Sequence, residues 1–105
     1  MTFKPDKGSM HAVLFTMDGC LPCKETKDFA DALLEQHGEY YDYISFMKAE
    51  NHSALVETYK LGLYPTLLIV GPSGHEVERV IGGVKVRLVL EDKLKEIREE
   101  LLKCS

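Results

Sequence analysis

Hydrophobic and polar positions along the chain switch repeatedly between a two-residue and a three-to-four-residue period. His11 to Thr16 is a short apolar run of β-formers. A continuous apolar centre of that length suits a strand covered on both faces. Met17-Asp18-Gly19 breaks it. From about Cys20 to about Gln36 the period lengthens. Cys23, Thr26, Ala30, Leu33 and Leu34 recur at three and four residue spacings, with Lys24, Lys27, Asp28, Asp31 and Glu35 largely opposite them. That pattern predicts an amphipathic helix. Pro22 suits its first turn, where a missing N–H has no partner to lose, and Gly38 should end it.

Tyr40 to Met47 alternates, with Tyr41, Tyr43 and Ser45 on one side and Asp42, Ile44 and Phe46 on the other, and reads as a second strand. Asn51 or Ser53 is placed to cap a short helix running to about Lys60, with Gly62 beyond it. Thr66 to Val70 is the strongest buried-strand pattern in the chain. Gly71-Pro72-Ser73-Gly74 is a turn, and the short link makes the next strand, Glu76 to Ile81, antiparallel to its predecessor. The charges Glu76, Glu78 and Arg79 suit a sheet edge. Gly82-Gly83 breaks the chain again. Val86, Leu90, Leu94, Ile97 and Leu101 then mark a last amphipathic helix from Val84 to Lys103.

The element order is strand, helix, strand, helix, strand, strand, helix. This predicts an α/β domain with a four-stranded mixed sheet flanked by three helices, strands one and two parallel. Residues 1–10 are polar and read as a loose arm, leaving 11–105 as the domain. The 105 residues fit one domain. Burial of roughly 65% of the unfolded chain's surface is enough for one modest core. With 45% hydrophobic and 29% charged residues the chain is neither disordered nor fibrous. Thirteen Lys plus Arg against 17 Asp plus Glu give a net charge of -4, which argues against a generic nucleic-acid surface. No apolar run approaches a membrane span. Three cysteines are too few for a disulfide-dense secreted scaffold. The first residues, Met-Thr-Phe-Lys-Pro-Asp-Lys, lack the apolar stretch of a signal peptide. A reducing cytoplasm and a monomer are expected.

Two of the cysteines stand together as Cys20-Leu21-Pro22-Cys23, directly after a buried strand and at the start of an amphipathic helix. Two thiols at that spacing reach each other through one helical turn. Free amide N–H groups and the helix dipole stabilise a thiolate there, lowering its pKa from about 8.5. Cys20, at the exposed end, is then the nucleophile that attacks a partner disulfide, and Cys23 resolves the mixed disulfide. The redox-active group is the Cys20–Cys23 disulfide itself, with no bound cofactor. A tetrahedral metal site needs four ligands. No second Cys-x-x-Cys exists, and His11, His37, His52, His75 and Cys104 are dispersed, so no metal is expected. Lys24 either helps to hold the thiolate or is an ordinary surface lysine. Asp18 either caps the helix or relays a proton, and its charge would oppose thiolate formation if close. Cys104 reads as a stray surface thiol.

Tyr64-Pro65-Thr66 precedes the most buried strand. A cis bond at Pro65 would put a tight backbone bend beside the cysteines. The backbone groups of Tyr64 would then be placed to pair with an extended substrate peptide. Met17, Leu21, Pro22, Tyr64 and Ile81 would ring Cys20 with apolar surface for partner peptides. Met17 and Ile81 have an equal alternative as core residues.

From about His11 to Leu102 the chain resembles the thioredoxin-fold superfamily, within thioredoxins and glutaredoxin-like proteins. The resemblance rests on Cys20-Leu21-Pro22-Cys23-Lys24, on Tyr64-Pro65-Thr66 and on Gly82-Gly83 before the last helix. It implies a thioredoxin-like sheet in the order 2-1-3-4 with only the last strand antiparallel, in a compact version without the extra leading strand and helix. It further implies Cys20 as exposed nucleophile, Cys23 as resolving cysteine, and Pro65 as the cis-proline bordering the substrate groove, with Gly82 nearby. The implied activity is dithiol–disulfide exchange that reduces protein disulfides. The implied reductant is a thioredoxin reductase, with glutathione as the alternative. A non-catalytic thioredoxin-fold binding module is the rival reading.

The chain departs from the family pattern at four places. Gly19 stands where thioredoxins usually carry a tryptophan. Leu-Pro replaces Gly-Pro between the cysteines. Leu14 occupies the position of the usual buried aspartate, leaving water, Asp18 or Glu50 to exchange a proton with Cys23. Val84-Lys85 follows Gly82-Gly83 where glutaredoxins commonly place an acidic residue, so the expected cap for the glutathione amino group is missing.

Overall fold

The computed structural model describes residues 10–103. The arm over residues 1–9 and Cys104 fall outside the described residues. In chain order the elements are β1 (His11–Thr16), α1 (Leu21–Gln36), β2 (Ile44–Lys48), α2 (Ser53–Tyr59), β3 (Thr66–Val70), β4 (Glu76–Ile81) and α3 (Gly83–Lys103). Short 3₁₀ turns, Gly38–Tyr43 and Ala49–Asn51, flank β2. Met10, counted above with the arm, packs half-buried against the core.

The strands form one sheet in the order β2-β1-β3-β4. β1 and β2 run parallel, in a register that pairs Ala12 with Ile44 and Thr16 with Lys48. β4 is antiparallel to β3, as expected. The expectation that only the last strand is antiparallel is corrected by the pairing of β3 with β1, which is also antiparallel. β3 is therefore the strand that runs against the other three. The connection explains it. β2 ends with Lys48 beside Thr16, and β3 begins with Thr66 beside Phe15, at the same end of the sheet. The seven-residue α2 between them is only about 10 Å long. A six-residue strand such as β1 is about 20 Å long, so α2 alone does not carry the chain back to the far end.

The second correction concerns the start of β2. The alternation from Tyr40 predicts a strand, yet Gly38–Tyr43 is a 3₁₀ turn and the strand begins at Ile44. His37, Tyr40 and Tyr43 lie three residues apart, the period at which 3₁₀ side chains eclipse. Their rings meet in sequence, with centroids 5.5 Å and 6.4 Å apart. Tyr40 is buried there, while Tyr41 faces solvent. At α2 neither expected cap is used. His52 occupies the cap position without a side-chain bond, and Lys60 closes the helix in the left-handed region (φ 54°).

Both faces of the sheet are covered, which accounts for the unbroken apolar runs in β1 and β3. Ala12, Leu14, Leu67 and Ile69 face one cluster with Ala30, Leu34, Val86, Leu90 and Leu94 of α1 and α3. Val13, Phe15, Leu68 and Val70 face the other, with Leu55, Val56 and Tyr59 of α2. Leu14 lies fully buried in the first cluster.

Candidate active site at the start of the first helix

The candidate site lies at the end of the sheet where β1 stops and β3 starts. Met17-Asp18-Gly19 turns the chain out of β1, with Gly19 at φ +76°, a conformation that favours glycine. Cys20 then caps α1 in an extended conformation (φ -104°, ψ 106°). The Cys23 N–H donates to Cys20 Sγ at 3.2 Å. A sulfur so placed takes the role of a capping oxygen and receives one of the orphan amides of the first turn. No acidic side chain lies in that turn to oppose it. Pro22 sits in the first turn, as its fixed φ favours.

Cys20 and Cys23 are joined in a disulfide, with their Cα atoms 5.2 Å apart. Their surroundings differ. Cys20 is half-buried, whereas Cys23 is only 2% exposed. An incoming molecule therefore meets Cys20 first.

Across from the disulfide, the Tyr64–Pro65 peptide bond is cis. It brings the Tyr64 carbonyl oxygen to 3.9 Å from Cys20 Sγ. Two bonds fix this loop. Thr66 Oγ1 donates to the Leu63 carbonyl at 2.6 Å, and the Gly82 N–H donates to the Pro65 carbonyl at 2.9 Å. Gly83 lets α3 start against α1. A Cβ there would lie 2.9 Å from Thr26 Oγ1 and 3.3 Å from the Pro22 carbonyl oxygen. Buried Thr26 also accepts a hydrogen bond from Arg87 at 3.0 Å.

On the other side of Cys20 lies an open groove of about 480 Å³. Met17, Asp18 and Leu21 line it, together with Lys24, Lys27 and Lys48. Met17 is 43% exposed and Leu21 66% exposed, and Pro22 is also exposed. Ile81, paired with Thr66 beside the cis bond, is exposed as well, so neither Met17 nor Ile81 is a core residue. Leu63, which the sequence reading passed over, adds exposed apolar surface next to Tyr64.

The candidate charged groups are engaged elsewhere. Lys24 pairs with Asp28 one turn along α1 at 3.0 Å, and this partner holds its ammonium above the ordinary lysine value. Asp18 pairs with Lys48 at 3.0 Å. The hydrogen bond from Lys48, then its charge, keeps the Asp18 carboxyl below the usual carboxylate range. Asp18 is therefore ionised at neutral pH and makes a poor proton donor there. Glu50 accepts the Asp18 N–H at 2.9 Å. Lys48 was missed from sequence because strand 2 was ended one residue early, at Met47. The register Thr16 to Lys48 would have placed it beside the loop. Among the described residues, no cluster of three or more His, Cys, Asp or Glu side chains is arranged to hold a metal ion. No described helix is long and apolar enough to cross a membrane.

The fold has counterparts among solved structures. The thioredoxin of Malassezia sympodialis is 16% identical, with 88% of this chain and 77% of that one aligned at a TM-score of 0.69. The thioredoxin of Fasciola hepatica is 22% identical over 87% and 83%, at 0.67. Thioredoxin NaTrxh of Nicotiana alata is 20% identical over 92% and 97%, at 0.66. The chain has the thioredoxin fold. No protein-family model and no curated protein matches it. Within that fold this chain places Cys20 and Cys23 at a strand-to-helix junction and a cis bond before Pro65. Gly19, Leu21 and Leu14 stand around the pair.

Proposed function

We propose that this chain is a dithiol–disulfide oxidoreductase that reduces protein disulfides. The observation that carries the reading is the asymmetry of the pair, an accessible Cys20 sulfur receiving the Cys23 amide and a buried Cys23 one turn behind it. In the reduced protein the Cys20 thiolate attacks one sulfur of a substrate disulfide. That bond breaks, the first substrate sulfur leaves as a thiolate, and a mixed disulfide with Cys20 remains. Cys23 then gives its proton to water and attacks Cys20 Sγ. The second substrate sulfur leaves as a thiolate, and the Cys20–Cys23 disulfide is left behind. Two electrons have passed to the substrate.

The loop at Tyr64 and Pro65 supports substrate alignment, since its backbone lies against Cys20 Sγ. Met17, Leu21, Pro22, Leu63 and Ile81 supply exposed apolar surface at this end. A thioredoxin reductase returns the electrons in this reading. Glutathione is the weaker candidate, because Gly82 spends its N–H on Pro65 and Val84-Lys85 offers no acidic cap. The test is reduction of a protein disulfide such as that of insulin, with the oxidised chain offered a thioredoxin reductase or reduced glutathione separately. Turnover that disappears in Cys20→Ser supports the proposal. Equal turnover in Cys20→Ser, Cys23→Ser and the parent overturns it.

A further inference from the structure

The loop that presents Cys20 is fastened at two points, by the last residue of β2 and by a residue just beyond it. Asp18 donates its N–H to Glu50 Oε2 at 2.9 Å, and its carboxylate meets Lys48 Nζ at 3.0 Å. The sheet register brings the two segments together, because Thr16 and Lys48 are paired at the ends of β1 and β2. Both chains leave the sheet side by side.

The fastening bears on the sulfur. Asp18 is two residues from Cys20, which keeps their Cα atoms within about 7 Å. Both line the same groove. A carboxylate there opposes formation of a thiolate. It does not escape by protonation, since Lys48 holds it ionised. The same ammonium lines the groove and offsets the charge. The other charged groups facing the groove are Lys24 and Lys27, each paired along α1, with Asp28 and Asp31. Glu50 faces the loop amide.

We infer that Lys48 and Glu50 are positioning residues for Cys20, Lys48 drawing the Asp18 carboxylate into an ion pair and Glu50 fixing the loop amide, so that the sulfur ionises beside an acid. The inference rests on Cys20 being the nucleophile. It assigns Asp18 a role in tuning Cys20 rather than in carrying protons. Lys48 acts through Asp18, so its removal should matter only while Asp18 is charged.

That dependence gives the test. The fully reduced parent, Lys48→Met, Asp18→Asn and the double variant are alkylated with iodoacetamide across pH, and the rate at Cys20 is followed by peptide mass. Lys48→Met should raise the midpoint by about half a pH unit, a modest value because the groups are exposed. Below the midpoint that is about threefold slower alkylation. Asp18→Asn should lower the midpoint, and the double variant should match Asp18→Asn. The difference between parent and Lys48→Met should shrink at high salt. Glu50→Gln, which keeps an acceptor for the Asp18 amide, should alkylate like the parent, and Glu50→Ala should not. Superimposed profiles for the first four proteins overturn the inference, as does a Lys48→Met shift that persists in the double variant. Should Lys48→Met fail to fold, the Asp18→Asn midpoint decides alone. A parent whose Cys20 is inert would instead defeat the proposed function, so the two failures are distinguishable.

Discussion

The Gly82 amide donates to the Pro65 carbonyl at 2.9 Å, tying the start of α3 to the loop that faces Cys20. One residue later, Gly83 sets the closeness of α3 to α1. A Cβ at Gly83 would meet Thr26 Oγ1 at 2.9 Å and the Pro22 carbonyl at 3.3 Å, inside the helix that Cys20 caps and that carries Cys23. Gly83→Ala should therefore destabilise the protein by about 1–3 kcal/mol through overpacking. Gly38→Ala, where a Cβ meets nothing within 4 Å, should cost well below that. Denaturant midpoints of the two variants check the contrast.

The two cysteines should fail differently. Cys20→Ser removes the attacking sulfur and should reduce protein-disulfide turnover to background. Cys23→Ser leaves attack intact and removes resolution, so it should accumulate a mixed disulfide with substrate that mass spectrometry detects. The cap adds a stability effect. Cys20→Ala should cost the reduced protein about 1 kcal/mol relative to Cys20→Ser, because serine retains an acceptor for the Cys23 amide.

Leu14 should behave as a core residue. It is fully buried in the cluster shared with α1 and α3. Leu14→Ala should cost about 2–5 kcal/mol by leaving a cavity. Leu14→Asp should destabilise more at pH 7 than at pH 4, since a buried carboxylate must shed its charge or stay unsolvated. Unfolding at both pH values measures this.

Arg79 ties the edge strand β4 to the end of α2. Its guanidinium pairs with Glu76 at 2.7 Å and donates to the carbonyls of Tyr59 and Lys60. Arg79→Met should cost about 1–3 kcal/mol at pH 7 from these charge-assisted bonds. The hydrogen bond from Arg79 is the first cause that holds the Glu76 carboxyl below its ordinary value. A carboxyl lowered by folding contributes stability above its unfolded pKa and loses it as pH falls through the folded one. The parent should lose more stability than Arg79→Met as pH falls below about 4.5. Chemical denaturation at pH 7 and pH 3 compares them.

Much of the fold was legible because its strands are buried on both faces or bounded by glycine and proline. The bounds of β1 and β3 follow from their apolar runs, and those of β4 from the turns on either side of it. The cysteine pair and Tyr64-Pro65 were equally plain, because each stands at the edge of such a run. Tyr40 to Tyr43 misled, since alternating aromatics and a 3₁₀ stack of every third ring share the same few residues. The direction of β3 was hidden for another reason. It depends on how far a seven-residue helix carries the chain, a three-dimensional property. Lys48 and Glu50 meet Asp18 across about thirty residues of sequence, through strand register that no local pattern encodes.

The most direct measurement is the pH dependence of alkylation of the fully reduced protein, resolved by peptide. The account predicts that Cys20 alkylates with a midpoint below about 8.5, the ordinary thiol value, while Cys23 stays largely unmodified in the folded chain. A Cys20 midpoint at or above that value, or equal modification of Cys20 and Cys23 at neutral pH, would contradict it.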